Sequence, residues 1–305
     1  MKTTLESVAH DLQGGAEICD DELFLEPGGC GIRLRSNSPE LIATLADYFS
    51  HVAAAVAEPD IDIVAIEREA PETGLAFVDW KREPGKTGRK DSCVDLPGGR
   101  VVRKVRTGMV FLQSEHTLMA AGPCREFDNQ VINFINSQYM NWLQHRGWLI
   151  CHAAGLEFQG QGLCIAGFSG GGKSTLMLHM LDNDAVSYLT NDRLFIHAGS
   201  GGVVARGIPK LPRINPGTIV HNPSLHELIP AQQRAALLQM PPQQLWELED
   251  KYDVHIDRVY GAGRIAEEMA LTAVLILNWQ RDSAADLTVS AVDLSQRRDL
   301  LAALM

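Results

Sequence analysis

Residues Gly167 to Ser174, read as GFSGGGKS, match the spacing G-x-x-x-x-G-K-[ST]. A chance match to that bare pattern is expected in about one chain in a hundred of this length. The chemistry it suits is the gripping of a polyphosphate. Glycines at Gly167, Gly170, Gly171 and Gly172 let the backbone come close to phosphate oxygens with no Cβ in the way. The backbone from Ser169 to Lys173 then turns its N–H groups, and the positive end of the next helix, onto one phosphate chain. Lys173 reaches the β- and γ-phosphates, the Ser174 hydroxyl holds Mg²⁺, and Thr175 closes the nucleotide-binding set.

Binding a triphosphate does not say what is done with it. Phosphoryl transfer also needs a metal clamp, a group that orients or deprotonates the acceptor, and cations for the charge in transit. Asn191-Asp192 ends the strand that follows the loop-helix unit, where Asp192 can face the metal; a turn aspartate capping Arg193 is the plainer reading. His152 ends the strand before the loop, a place where a histidine is equally at home as a hydrogen-bonded structural residue. The stretch RGIPKLPRINPGT, from Arg206 to Thr218, stiffens three cations, Arg206, Lys210 and Arg213, with three prolines and two glycines. That suits a preorganised phosphate or acceptor site, or a rigid connector with solvated side chains. Cys151 neighbours His152, but adjacent strand residues point to opposite faces, so the two do not make a nucleophilic dyad.

These residues need a strand, a loop and a helix to hold them. Leu163–Ala166 reads as a buried strand, and Ser174–Leu181 is apolar at helical spacing. Upstream, a helix at 5–13 precedes a strand pair (23–25 and 31–35) about Pro27-Gly28-Gly29, and Ser38-Pro39-Glu40 opens a helix running to Pro59. Strands follow at 61–67, 75–80, 101–106, 109–112 and 117–121, with a basic loop, KREPGKTGRK, at 81–90. A helix over 127–145 leads into the strand 148–152, with hairpin-like turns at 157–162 and 198–202. Helices are expected at 224–239 and 243–251, strands at 270–278 and 286–292, and a closing amphipathic helix at 295–304. Strands outnumber helices too heavily for a Rossmann-like alternation, so a mixed sheet wrapping the loop-helix unit is expected. The expected organisation is an N-terminal α+β domain, residues 1–123, and a mixed α/β phosphate-loop domain, residues 124–305.

Bulk properties narrow the class. The 305 residues are 45% hydrophobic and 21% charged, ample for folded cores. A net charge of −11 argues against a nucleic-acid binder. There is no apolar signal core and no stretch long enough to cross a bilayer, so no membrane partner is expected and the chain reads as cytoplasmic. The six cysteines form no C-x-x-C pair or zinc spacing and are expected to be reduced, mostly buried thiols.

From His152 to Arg213 the chain resembles the HPr kinase/phosphorylase family, whose catalytic domain is similar in fold to phosphoenolpyruvate carboxykinase. The resemblance is carried by His152 ahead of the loop, by Ser169-Gly170 with Gly172-Lys173-Ser174, by the turn Asn191-Asp192-Arg193, and by Val204-Ala205-Arg206-Gly207. NQVINFINSQYM, HAAG and GIPKLPRINPGT resemble the branch called HPr kinase-related kinase B. The resemblance covers roughly the second half of the chain. It implies an ATP- and Mg²⁺-dependent kinase acting on a hydroxyl, catalytic roles for His152, Lys173, Asp192 and Arg206, a metal on Ser174 and Asp192, and acceptor contacts from Asn191, Lys210 and Arg213. The family's hexamer implies a homo-oligomer. The HPr docking surface is not among the matched residues, so the acceptor is an unidentified protein or small molecule. Two positions depart from the family: its acceptor-deprotonating Asp is Asn191, and its signature Glu is Val204. An amide takes no proton, so either Asp192 or His152 serves as base, or the activity differs. The rival reading is a nucleotide-binding regulatory module with negligible transfer. A hydrolysing switch fits less well, for want of a water-positioning Gln.

Overall fold

The computed structural model describes residues 3–81, 88–168, 170–278 and 286–305. The chain divides into two compact units, Met1–Trp142 and Leu143–Met305. The division falls 19 residues after the expected boundary at Pro123, inside the helix Asp128–His145. Most of that helix belongs with the first unit, where its Phe134 ring stands 5.0 Å from Phe111. Most of the basic loop, residues 82–87, lies outside the described residues.

The first unit is one eight-stranded sheet with helices on it. Its strands are β1 (Glu22–Leu25), β2 (Ile32–Ser36), β3 (Ile61–Glu67), β4 (Val78–Asp79), β5 (Asp91–Leu96), β6 (Gly99–Lys104), β7 (Val110–Ser114) and β8 (Leu118–Gly122), in the order β1-β2-β3-β8-β7-β6-β5-β4. The β2–β3 and β3–β8 pairs are parallel and the rest antiparallel. Helix α1 (Leu5–Gln13) is capped by Thr4, and its Val8 and Leu12 pack with Val110 and Leu112. Phe111, one residue out of phase, meets Phe134 of helix α3 (Asp128–His145), so the two helices cover opposite faces. Helix α2 (Pro39–Tyr48) starts where Ser38-Pro39 signals, the Ser38 hydroxyl accepting from the Leu41 amide. It stops at Tyr48, well short of Pro59. Val52 and Ala54 instead hydrogen-bond Glu26 and Phe24, so pairing with β1 overrides the helical period of residues 52–56.

The second unit carries β9 (Leu149–Cys151), β10 (Ala153–Phe158), β11 (Gln161–Gly167), α4 (Lys173–Met180), β12 (Val186–Thr190), β13 (Leu194–Gly199) and β14 (Gly202–Arg206). Beyond these lie β15 (Arg213–Ile214), α5 (Pro216–Val220), α6 (Ala231–Leu238), α7 (Pro242–Glu247), β16 (Tyr252–Asp253), α8 (Ile256–Val259) and β17 (Glu268–Leu277). Seven strands form one mixed sheet in the order β12-β10-β11-β17-β14-β13-β9, in which only β11–β17 is parallel. The short pair β15–β16 stands apart from it. On one face Ala154, Leu156 and Ile165 bury Met177, Leu178 and Leu181 at and just beyond α4. Each such side chain is worth about 1.5–3 kcal/mol. The alternate residues Ala153, Cys164 and Ala166 meet Leu189, Leu194 and Ala205 on the other face. This is a mixed α/β chain with large mixed sheets, as the strand-rich pattern implied.

The C-terminal expectations are corrected. Residues 286–292 alternate like a strand but form no strand among the described residues, with Leu287 and Val289 exposed. In place of a closing α-helix there is a 3₁₀ turn, Arg298–Ala303, and the Leu304 carbonyl accepts from the His152 amide. Pro230 splits the helix expected over 224–239 into a 3₁₀ segment, Pro223–Leu228, and α6. No helix among the described residues is long and apolar enough to cross a membrane.

The C-terminal end of α4 is tied off by a residue with no local signature. The buried guanidinium of Arg264 donates to the carbonyls of Leu181, Asn183, Val186 and Tyr260 at 2.6–3.0 Å. Arg264→Leu leaves the buried Leu181 and Val186 carbonyls without this donor and is expected to cost about 3 kcal/mol. Hydrogen exchange should show protection lost in the second unit and retained in the first.

Candidate functional site

The loop between β11 and α4 turns on its glycines. Gly170 and Gly172 take φ of 76° and 83°, and Gly172 caps α4, its carbonyl accepting from the Leu176 amide. The Gly171 amide closes the turn onto the Phe168 carbonyl at 3.0 Å. Among the described residues, nothing lies within 4 Å of where a Cβ on Gly170 or Gly172 would stand. Open space therefore lies beside Gly170 and Gly172, and the first amides of α4 have no intrahelical acceptor. An open cradle of amides beside a lysine fits a polyphosphate. Ser169 lies outside the described residues.

Lys173 is buried, and its ammonium donates to the Gly167 carbonyl at 2.7 Å. Burial pulls its pKa below the ordinary lysine value, against the partial compensation of Asp192. Ser174 is half-buried on the first turn of α4. The Thr175 hydroxyl shares a hydrogen bond with Thr218 at 3.1 Å, so it is engaged with α5.

Asp192, just past β12, is where the candidates meet. One carboxylate oxygen lies 2.8 Å from Nε2 of His152 and the other 2.9 Å from the Arg193 guanidinium. Lys173 and Lys210 both sit within its electrostatic reach. The turn is fixed from beneath, the buried Thr190 hydroxyl donating to the Arg193 carbonyl at 3.0 Å. Oδ1 of Asn191 is buried with no hydrogen-bond partner among the described residues.

Lys210 arrives on the proline-rich loop. An added Cβ on Gly207 would stand 2.1 Å from the Leu189 carbonyl and 2.9 Å from Cβ of Thr190, so only glycine lets the loop lie against the end of β12. The Tyr188 hydroxyl donates to the Lys210 carbonyl at 3.0 Å and holds the loop there. Burial lowers the pKa of Lys210, with Asp192 acting the other way. Arg213 is ion-paired with Asp253 at 3.1 Å and is also among the charges facing Lys210. Arg206 is otherwise engaged: its Nε donates to Glu268 at 2.7 Å, and its guanidinium lies 4.8 Å from the centre of the Trp148 ring.

Of the residues singled out from sequence, His152, Lys173, Asp192 and Lys210 converge, with Arg213 at their margin. Arg193 belongs with them, and its signal was its place in the Asn191-Asp192-Arg193 turn. Tyr188 and Arg264 carried no local signal. Among the described residues no group of three His, Cys, Asp or Glu side chains could hold a metal unaided. A Ser174–Asp192 pair would have to share its ion with phosphate oxygens. The cysteines are free thiols, and burial pushes Cys124 and Cys164 up to about 12, leaving them protonated and inert.

No family model matches the chain, and no curated protein does. Among solved structures it is similar to the HPr(Ser) kinase/phosphatase from Coxiella burnetii, at 14% identity over 47% of this chain and 66% of that one, with a TM-score of 0.27. The chain thus spans just under two thirds of that neighbour. A likeness of this size says nothing about activity, and the functional reading rests on the residues themselves.

Gly207→Ala should lower stability by about 1–3 kcal/mol in urea unfolding, because the loop or the end of β12 must give way. The lysines predict a proton linkage. Their folded pKa values lie below 10.5, so just under 10.5 the free protein has shed protons that an ordinary lysine keeps. A bound polyanion restores the charged form. Pyrophosphate binding at alkaline pH should therefore take up protons, read as a buffer-dependent calorimetric heat, and Lys173→Met should reduce the uptake.

Proposed function

We propose that the chain is a Mg²⁺- and ATP-dependent kinase that phosphorylates a hydroxyl, and that it works in the cytoplasm. The observation that carries this reading is the gathering of Lys173 and the His152–Asp192 pair at the mouth of an open glycine loop. The backbone around Gly170–Lys173 binds the phosphates of ATP. Lys173 leaves the Gly167 carbonyl to meet negative charge on the transferring group. Ser174 and Asp192 are the residues that would hold Mg²⁺, which supplies further neutralisation of phosphate charge. The acceptor hydroxyl gives its proton to Asp192 or His152 as its oxygen bonds to phosphorus. The β–γ bridge bond breaks and ADP leaves.

A second reading has its own support. Asn191 cannot accept a proton, and Val204 faces Ala270 across the β14–β17 pair where the resembled family has a carboxylate. These changes favour a nucleotide-binding regulatory module with little transfer. Incubation with γ-labelled ATP and cell extract separates the two, since a labelled acceptor supports the kinase and tight binding without turnover supports the module. In the kinase, Lys173→Ala should lower transfer by about 10²–10³-fold, the loss typical of one preorganised charge-stabilising donor. Transfer at the native rate would refute the assignment.

A further inference from the structure

The outer edge of the first unit's sheet carries a surface that the phosphate chemistry leaves unused. Strand β4 closes that sheet and, among the described residues, pairs with β5 alone. The register sets Val78, Cys93 and Val102 abreast on β4, β5 and β6, with Val102 opposite Phe111 of β7, the residue that meets α3. That row continues the α3 face outward to the edge of the sheet. There Val78 is 69% exposed and Trp80, two residues on, is 50% exposed. Trp80 is fixed in place. Its amide donates to the Asp91 carbonyl at 2.9 Å, and the Arg100 guanidinium lies 5.4 Å from the centre of its ring. Arg100 is two residues before Val102, so by strand alternation the two share this face. A tryptophan and a valine held in water at a sheet edge form a surface suited to being covered.

Charge says what the covering partner carries. Residues 77–81 and 88–106 hold seven Lys and Arg against three Asp, an excess of four positive charges (seven minus three) on a chain whose net charge is −11. Each aspartate already has a cation: Asp79 lies 2.7 Å from Arg89, Asp91 2.9 Å from Lys104 and Asp95 2.5 Å from Arg100. Of the other four cations, Arg103 lies 4.4 Å from the centre of the Phe77 ring, while Lys81, Lys90 and Arg106 are exposed. These three collect at the Trp80 end of the strands. Lys81 follows Trp80, Lys90 precedes Asp91, and the Val105 amide donates to the Lys90 carbonyl at 3.0 Å, which brings Arg106 alongside. A nucleic-acid strand suits the edge less well, because carboxylates stand among the cations and Val78 offers no ring for a base to stack on. We propose that this edge docks an acidic segment of a partner protein, which lays an aromatic or aliphatic side chain on Trp80 and Val78. Such docking is independent of what the second unit catalyses.

The test titrates the full chain into a fluorescein-labelled random copolymer of glutamate and tyrosine in about 50 mM salt, where surface charges are weakly screened, and reads anisotropy. The copolymer should bind, and polyglutamate should bind about tenfold more weakly for want of a side chain to cover Trp80. Trp80→Ala and, separately, Lys81→Glu combined with Lys90→Glu should each weaken copolymer binding about tenfold. Circular dichroism should stay unchanged in both variants, since all three side chains are exposed. If the native chain leaves the copolymer free, or either variant binds it as tightly as the native protein, the docking surface is refuted. Polyglutamate binding as tightly as the copolymer would remove the apolar contact and overturn the assignment as stated. Tighter binding of oligothymidylate or of phosphatidylserine vesicles, lost in the same variants, would overturn the protein partner in favour of a nucleic acid or a membrane. A dimer in gel filtration that Trp80→Ala dissociates would overturn it in favour of a second copy of this chain.

Discussion

The placement of the site depends on one buried cation outside it. Arg264 satisfies carbonyls at the C-terminal end of α4 and in the turn that leads to β12, where the helix dipole is negative and its last acceptors lack partners. Its backbone also brackets Tyr188, accepting from the Tyr188 amide while the Ala266 amide donates to the Tyr188 carbonyl, each at 2.7 Å. The same tyrosine holds the Lys210 carbonyl through its hydroxyl. The helix behind the glycine loop and the strand that leads to Asp192 are thus tied to the Arg264 side chain, and the loop bearing Lys210 is tied through Tyr188 to the Arg264 backbone. An apolar residue there would keep the backbone pairing with Tyr188 and still lose the tie between the end of α4 and the start of β12, the elements that lead to Lys173 and Asp192.

Holding two lysines partly out of water is costly, since burial disfavours the charged form. The lowered pKa values of Lys173 and Lys210 record that cost, and the Asp192 carboxylate only partly offsets it. Donation from Lys173 to the Gly167 carbonyl supplies a neutral partner, weaker than an anion. A polyanion is the partner that such an arrangement favours.

What was legible in the sequence was local. The glycine loop, the Ser38-Pro39 helix start and the β10–β11 and β13–β14 hairpins all announce themselves within a few residues, because caps and turns depend on backbone geometry at adjacent positions. Where distant pairing decides, the local pattern misleads. Residues 52–56 keep a helical period, yet residues 52–54 bond to β1 and its edge instead, while residues 286–292 alternate like a strand and pair with none among the described residues. Arg264 and Tyr188 could not be found at all, since their partners lie up to 83 residues away along the chain. In the site itself the residue types were readable, whereas their grouping was not. Lys210 and Arg206 looked alike as stiffened cations on one stretch, and only the fold sends one towards Asp192 and the other to Glu268 and Trp148.

That divergence bears on how the proposed reaction could run with fewer carboxylates than the resembled family. Val204 lies opposite Ala270, and two positions on, Arg206 lies opposite Glu268, the two joined in an ion pair. Glu268 is thus committed to Arg206. Among the described residues Asp192 is the carboxylate that acts on Lys173 of the glycine loop, and one carboxylate serves poorly as metal ligand and proton acceptor together, since a bound dication lowers its basicity. Its partner resolves the conflict. Nε2 of His152 lies 2.8 Å from the carboxylate, and the His152 amide is anchored to the Leu304 carbonyl. In the proposed kinase the division of labour that follows is Asp192 to the metal and His152 to the proton, a histidine doing what Asn191 cannot.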